Sequence, residues 1–480
     1  MSDVLDAAEF RELGHQLIDR LADYLEHIED RPVFPDVSRA ELERRFAEAL
    51  PQRAMPAEQV LAVLERDLLP FCCHVGHPGY FGLITPSPNP VGILGDLIAS
   101  ALNQNIGAWS IGPAGVVVER QTVRWLTDLI GFDEKAGGNL TSGGMMANFI
   151  GLKLARDRVS GDVTQHAGVT GAWAAYTSEE RHVSVDKAAD AVGIGRQGLR
   201  VLPTDADFSL RLNALEGAIE EDRRRGIRPM CIVGMGGTTN TGAVDDLRAL
   251  RAIADREGAW LHVDAAYGGG MLLSRRFPGT LEGLELADSV TLDPHKWFYA
   301  PLDAGAILVR DAARLTASFG LAPAYLTDPL DEAGDRYNYY VHGFEQSRRF
   351  RSLKVWMSFK RYGAEQIGEW IDRNVLQAHR LHELCVQSQD FEPACAPRMS
   401  AICIRYRAAG LAEPDSARLH AEVVRRVEES GRFWISTTFL KGRTWFRINP
   451  VNLRTRAEHM DELLAMLRRE CERWLHGQSP

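Results

Sequence analysis

Lys296 follows a histidine in "DSVTLDPHKWFYAP" and precedes Trp297, Phe298 and Tyr299. Most of the chain's 55 Lys and Arg are free to sit in water. A lysine among aromatic rings loses the hydration that stabilises its ammonium, which favours the neutral amine, a nucleophile toward carbonyl carbon. A second polar residue ends an apolar run at "WLHVD", whose last residue is Asp264. In an open α/β sheet, ligands bind beyond the carboxyl ends of the strands, so both positions are chemical candidates. Taken singly, the Asp is as well explained as a turn former and the Lys as a surface residue. Upstream, "NLTSGGMMANFIGLKLA" sets Ser142, Gly143 and Gly144 immediately before a helical period. Small residues there leave backbone N–H groups uncovered at the positive end of a helix, which makes an anion site. An ordinary N-cap accounts for the same residues in isolation. Neither the G-x-x-x-x-G-K-[ST] loop nor the dinucleotide fingerprint is present.

Taken together, an anion cradle, a strand-end carboxylate and a strand-end lysine are what pyridoxal 5′-phosphate requires. The lysine bonds to its aldehyde, the carboxylate keeps the pyridine nitrogen protonated, and the cradle takes the phosphate. On this reading Lys296 sits in an apolar pocket.

The elements that must position these residues follow from periodicity. Phe10, Leu13, Leu17, Leu21, Leu25 and Ile28 recur at helical spacing until Pro32, predicting an amphipathic N-terminal helix whose apolar face needs a cover. From Val116 to about Arg310, helical periods such as "VVVERQTVRWLTDLIGF" alternate with short apolar runs such as "PMCIVGMGG" and "AGAILVR". That alternation predicts an α/β layer with a largely parallel sheet. A long helix from "SLKVWMSF" leads into a smaller α+β region with strands at "MSAICIRY", "FWISTTFL" and "TWFRINP" and a closing helix from Arg456. The expected divisions are a helical segment over 1–85 that makes a dimer contact, a large α/β cofactor-binding domain over 86–365 and a small α+β domain over 366–480.

Composition removes other classes. The net charge of −10 across 480 residues, with no basic run longer than Arg223–Arg225, argues against a nucleic-acid binder. No apolar stretch reaches the ~18 residues of a membrane span, and the acidic N-terminus is unlike a secretion signal; a cytoplasmic location is expected. Seven cysteines without a C-x-x-C pair suit reduced thiols, with neither a disulfide framework nor a metal site expected.

The pair "HVDAAYGG" and "ADSVTLDPHKW" resembles the group II pyridoxal-phosphate decarboxylases, the family of aromatic-L-amino-acid, histidine and glutamate decarboxylases. The resemblance extends through "HPGYFGLITPSPNPVGILGDL", "SGGMMAN", "GGTTNTGAVDDL" and "RRFRSLKVWMSFKRYG". It implies the aspartate aminotransferase-like fold (fold type I), the cofactor pyridoxal phosphate, and a homodimer whose active sites lie at the interface. It also implies roles by position: Lys296 as the Schiff-base lysine, Asp264 as the pyridinium partner, Ala266 beneath the ring and His182 stacked on its other face. Gly143 and Gly144 would contact the phosphate, Thr238 would lie near the cofactor, and His295 would help to hold it. Tyr325 matches a loop tyrosine that donates a proton to Cα after CO2 leaves. Relatives that form aldehydes replace that tyrosine or the histidine, and this chain keeps both, which favours simple decarboxylation to an amine.

For the substrate pocket the resemblance points to Val75, Leu83, Ile84, Gly107 and Trp109, several standing where animal aromatic enzymes carry aromatic side chains. Apolar walls give a charged side chain no partner, so a bulky or aromatic amino acid is expected. Glutamate, aspartate and 2,4-diaminobutyrate remain open as substrates. So do an aldehyde synthase, a C–S lyase or an aminotransferase of the same fold, and a non-catalytic protein that kept the fold.

Overall fold

The computed structural model describes residues 5–161, 163–322, 336–408 and 410–477. It divides into two units. One comprises Ile84–His379 with Cys395–Ile402; the other comprises Met1–Leu83, Arg380–Ala394 and Cys403–Pro480.

The larger unit is built on a seven-stranded sheet of order β1-β7-β6-β5-β4-β2-β3. Its strands are β1 (Gly137–Thr141), β2 (Trp173–Ser178), β3 (Leu199–Leu202), β4 (Arg228–Met235), β5 (Trp260–Asp264), β6 (Ser289–Leu292) and β7 (Gly305–Val309). The pairings of β2 with β3 and β4, of β4 with β5 and of β5 with β6 are parallel. β7 is antiparallel to both β6 and β1, so the sheet is mixed. Every residue of β2, β5, β6 and β7 is buried, as expected for strands covered on both faces, whose sequences read as unbroken apolar runs.

The helix Gly144–Ser160 packs across this sheet. Its Ala147, Ile150 and Leu154 share a buried cluster with Cys231, Val233 and Ile307. Gly151 makes the close approach possible, because a Cβ there would lie 2.5 Å from Cε1 of His262 on β5. The long helix Ser352–Gln387 is interrupted at Gly363, whose φ of +70° suits only a residue without Cβ.

In the other unit, a four-stranded sheet of order β10-β11-β9-β8 is formed by β8 (Phe391–Pro393), β9 (Ile402–Tyr406), β10 (Ser436–Leu440) and β11 (Arg443–Ile448), with the helices Glu413–Glu429 and Ala457–His476. The N-terminal helix spans Ala7–Glu26, its start fixed by a capping box between Asp6 and Glu9. None of its residues is buried, and Phe10, Leu17 and Ile18 are exposed. Among the described residues no helix is long and apolar enough to cross a membrane.

Candidate functional site

The candidate residues lie just past the carboxyl ends of five strands. β1 leads to Gly143 and Gly144, β2 to His182, β4 to Thr238, β5 ends on Asp264, and β6 leads to His295 and Lys296. All of them, with Ala266, line one cavity of about 310 Å³, within the roughly 300–1,000 Å³ usual for small-molecule sites.

Lys296 departs from the apolar setting expected of it. Its side chain is 24% exposed and its Nζ lies 3.3 Å from Asp293 Oδ2. The aromatic neighbours turn the other way. Trp297 stacks on Tyr267 with centroids 4.9 Å apart, Phe298 meets Phe359 edge-on, and the Tyr299 hydroxyl donates to Asn374 Oδ1 at 2.7 Å. The backbone turns here, with Lys296 N donating to the Asp293 carbonyl at 2.8 Å, so consecutive side chains diverge. The rings hold the turn, and the lysine faces a carboxylate.

Asp264 is 7% exposed. Its Oδ1 accepts the backbone N–H of Ala266 at 3.1 Å and its Oδ2 accepts from Asn148 Nδ2 at 2.8 Å. His182 caps the helix Val183–Ala191, its Nδ1 lying 3.2 Å from the backbone N of Ser184 and 2.8 Å from Ser184 Oγ. Burial lowers its pKa against the opposing pull of Asp264, which favours a neutral ring. His295 is held as a neutral ring for the same reason, burial outweighing the attraction of Asp293. Its Nδ1 accepts the N–H of Ala304 at 2.9 Å, leaving the proton on Nε2.

The glycine turn is open. Gly143 has φ +151°, and the helix it precedes has no side-chain cap, so its first N–H groups are uncovered. A Cβ on Gly143 would meet His295 Cε1 at 3.2 Å, and one on Gly144 would meet Asp293 Oδ2 at 2.9 Å. Thr238 uses its hydroxyl within its own loop, accepting from Ala243 N at 3.1 Å and pairing with Thr241 Oγ1 at 2.9 Å. It therefore shapes the wall by holding the loop.

The other expected residues are placed differently. Tyr325 lies outside the described residues. None of Val75, Leu83, Ile84, Gly107 and Trp109 lines the cavity, and Val75 and Leu83 belong to the other unit. Gly107 has its own structural reason to be glycine, since a Cβ there would lie 2.3 Å from the Gln346 carbonyl oxygen. Trp109 packs against a cluster containing Ile106, Val116 and Tyr339.

The wall residues that sequence reasoning missed include Asn148, Glu180, Ser184 and Asp293. Asp293 stands two residues before His295, a readable spacing, whereas Asn148, one helical turn beyond Gly144, carries no local signal of its role. No arginine lines the cavity among the described residues, nor is any group of three metal-ligating side chains found among them.

These residues fit pyridoxal phosphate. An uncapped helix N-terminus suits a phosphate, and a carboxylate held by two donors suits a protonated ring nitrogen. The amine of Lys296 shares the same cavity. Asp293 Oδ2 faces the glycine turn and the Lys296 amine.

Comparison with known proteins agrees. The pyridoxal-dependent decarboxylase conserved domain matches residues 40–407. The aromatic-L-amino-acid decarboxylase of Bacillus atrophaeus is 32% identical, over 98% of this chain and 96% of that one. The phenylacetaldehyde synthase of Arabidopsis thaliana is 29% identical, over 98% of both. A crystal structure of Oryza sativa TDC with PLP and tryptamine superposes with a TM-score of 0.92 at 28% identity, over 99% of this chain and 100% of that one.

Proposed function

The chain belongs to the pyridoxal-dependent decarboxylase family, and on that premise we propose that it removes CO2 from an aromatic L-amino acid and releases the amine, using the cavity around Lys296. The observation that carries the reading is the gathering of Lys296, Asp264, His182 and the open turn at Gly143 and Gly144 around one cavity.

Bound pyridoxal phosphate supplies an electron-poor ring that accepts the electron pair left on Cα when CO2 departs. The chain supplies the rest. The Lys296 amine, in the wall of the cavity, would hold the cofactor through its aldehyde. The Asp264 carboxylate keeps a proton on the ring nitrogen, and its two donors fix it in place. The uncapped turn takes the phosphate. By the family resemblance, Tyr325 would deliver the proton to Cα that completes the amine.

Two observations favour an aromatic side chain over an acidic one. Glu180, Asp264 and Asp293 put carboxylates in the wall and no arginine faces them among its described residues, so a second substrate carboxylate would be buried against like charge. Relatives matched over 98% and 84% of the chain are named for aromatic amino acids.

A homodimer is part of the proposal. On the helix Pro90–Leu102, Leu94, Leu97, Ile98 and Leu102 are 41–55% exposed, and an uncovered apolar face of this kind suits a second copy. Every described cysteine is free, consistent with the reducing cytoplasm.

The test offers the holoenzyme phenylalanine, tyrosine, tryptophan, dihydroxyphenylalanine, histidine, glutamate and 2,4-diaminobutyrate, and quantifies CO2, amine, aldehyde and ammonia. Equimolar CO2 and amine from the aromatic set supports the reading. Glutamate or diaminobutyrate as best substrate overturns the substrate class, and aldehyde with ammonia overturns the reaction in favour of the aldehyde-forming chemistry of the phenylacetaldehyde synthases.

A further inference from the structure

The side-chain amide of Asn148 is 1% exposed and uses its full hydrogen-bonding capacity. Its Nδ2 donates to Asp264 Oδ2 and to Ser184 Oγ, both at 2.8 Å. Its Oδ1 accepts the Thr291 hydroxyl at 2.6 Å and lies 2.9 Å from His262 Nε2. A carboxylate only accepts, so Asp264 dictates which end of the amide is nitrogen; a flipped amide would set oxygen against oxygen.

From that fixed amide, direction propagates both ways. On one side, Oδ1 makes His262 Nε2 the protonated nitrogen. His262 Nδ1 then accepts from Ser289 Oγ at 2.8 Å, and Ser289 in turn accepts the Trp260 indole N–H at 2.8 Å. Burial pushes the His262 pKa down to about 4, so the ring stays neutral and the order of donors holds. Trp260, Ser289, His262 and Asn148 thus all donate in sequence toward Asp264, an arrangement in which each bond polarises the next. On the other side, Ser184 Oγ accepts from Asn148 and turns its own proton toward His182 Nδ1 at 2.8 Å, while the Ser184 backbone N–H lies 3.2 Å from the same nitrogen. With Nδ1 an acceptor for both, the ring proton of neutral His182 belongs on Nε2, which has no protein partner among the described residues.

We infer that Asn148 is a positioning residue shared by both arms of the site: one amide orients the Asp264 carboxylate and, through Ser184, sets the tautomer in which His182 meets a ligand as an Nε2–H donor. The inference rests on the reading above, in which Asp264 and His182 serve the cofactor and substrate. A residue that only filled space between helix and sheet would do neither.

Two measurements on the apoprotein test it, with pyridoxamine 5′-phosphate as a probe that binds without bonding to Lys296. In a double-mutant cycle, Asn148→Asp, which keeps the shape but sets a carboxylate oxygen against Asp264, is expected to weaken the probe at least tenfold. In the Asp264→Asn background the same substitution should cost less than threefold. Equal losses in both backgrounds overturn the inference. If Asp264→Asn alone leaves probe affinity unchanged, the assigned role of Asp264 fails instead, and the inference falls with it. The second readout is the His182 ring by ¹⁵N correlation spectroscopy, with His182→Gln to assign the signal. The wild type is expected to show the Nε2–H form alone. Asn148→Asp and Ser184→Ala should both populate the other tautomer, and Ser184→Thr, which keeps the hydroxyl, should restore the single form. A wild-type ring protonated on Nδ1, or a ring unmoved by either substitution, contradicts it. Ser184→Ala supplies the test if Asn148→Asp does not fold.

Discussion

Gly144→Ala separates the anion cradle from the stability of the fold. A methyl at this position would lie 2.9 Å from Asp293 Oδ2 and 3.2 Å from Ala266 Cβ, where ordinary contact begins at 3.4 Å. Something must therefore move by about 0.5 Å, and overpacking of this kind costs ~1–3 kcal/mol. The cost falls differently on the two states. In the empty protein the Asp293 side chain, which lines the cavity, can shift to relieve the contact, so the apoprotein should melt within a few degrees of wild type. With a phosphate in the turn that relief is closed, and ~1–3 kcal/mol corresponds to about 5- to 150-fold in affinity. The assay is fluorescence titration of apoprotein with pyridoxamine 5′-phosphate and with pyridoxamine lacking the phosphate, beside thermal melts followed by circular dichroism. The phosphate ester should lose affinity and pyridoxamine much less. Equal losses for the two ligands, or none for the ester, would refute the placement of phosphate at this turn.

Asp264→Asn should leave the fold intact yet lower turnover by several orders of magnitude, because a neutral amide cannot hold the ring nitrogen protonated; near-normal turnover with cofactor bound would exclude the role. Tyr325→Phe should keep substrate binding, cut amine output and raise the aldehyde fraction measured with ammonia and peroxide under air, since only the hydroxyl proton is removed. His420 accepts the backbone N–H of Tyr406 at 3.3 Å and contacts the Ser416 carbonyl at 2.6 Å, and burial pushes its pKa down to about 4. A depressed folded-state value means that its contribution is complete above the unfolded value of about 6.5 and is lost as pH falls toward 4, a change of ~3 kcal/mol. Denaturant titrations of His420→Gln should accordingly show a flatter pH dependence over that window than wild type.

Asp264 and Lys296 were legible because each stands at or just past the end of an apolar run, and a strand covered on both faces delivers such a residue to the sheet edge. That argument brings Lys296 and Asp264 together, the small residues ahead of a helical period point to the Gly143 turn, and the family resemblance adds His182. What stayed hidden depends on direction or on partners distant in sequence. Trp297 and Tyr299 announce burial, yet nothing local says that they face away from Lys296. The reversal of β7 has no mark in its composition, since "AGAILV" suits either direction. Asn148 reads as a polar residue inside a helix until Asp264, Thr291 and His262, all more than 100 residues away, are seen around it. Gly107 likewise is explained by the carbonyl of Gln346, a contact that no local pattern predicts.

The central claim is that the cofactor is carried on Lys296. Borohydride reduction of the holoenzyme followed by proteolysis and mass spectrometry locates the reduced cofactor on the chain. The label is expected on Lys296 alone, with both label and amine formation abolished in Lys296→Ala. A label on another lysine, such as Lys153 or Lys354, or full decarboxylation by Lys296→Ala, would contradict it.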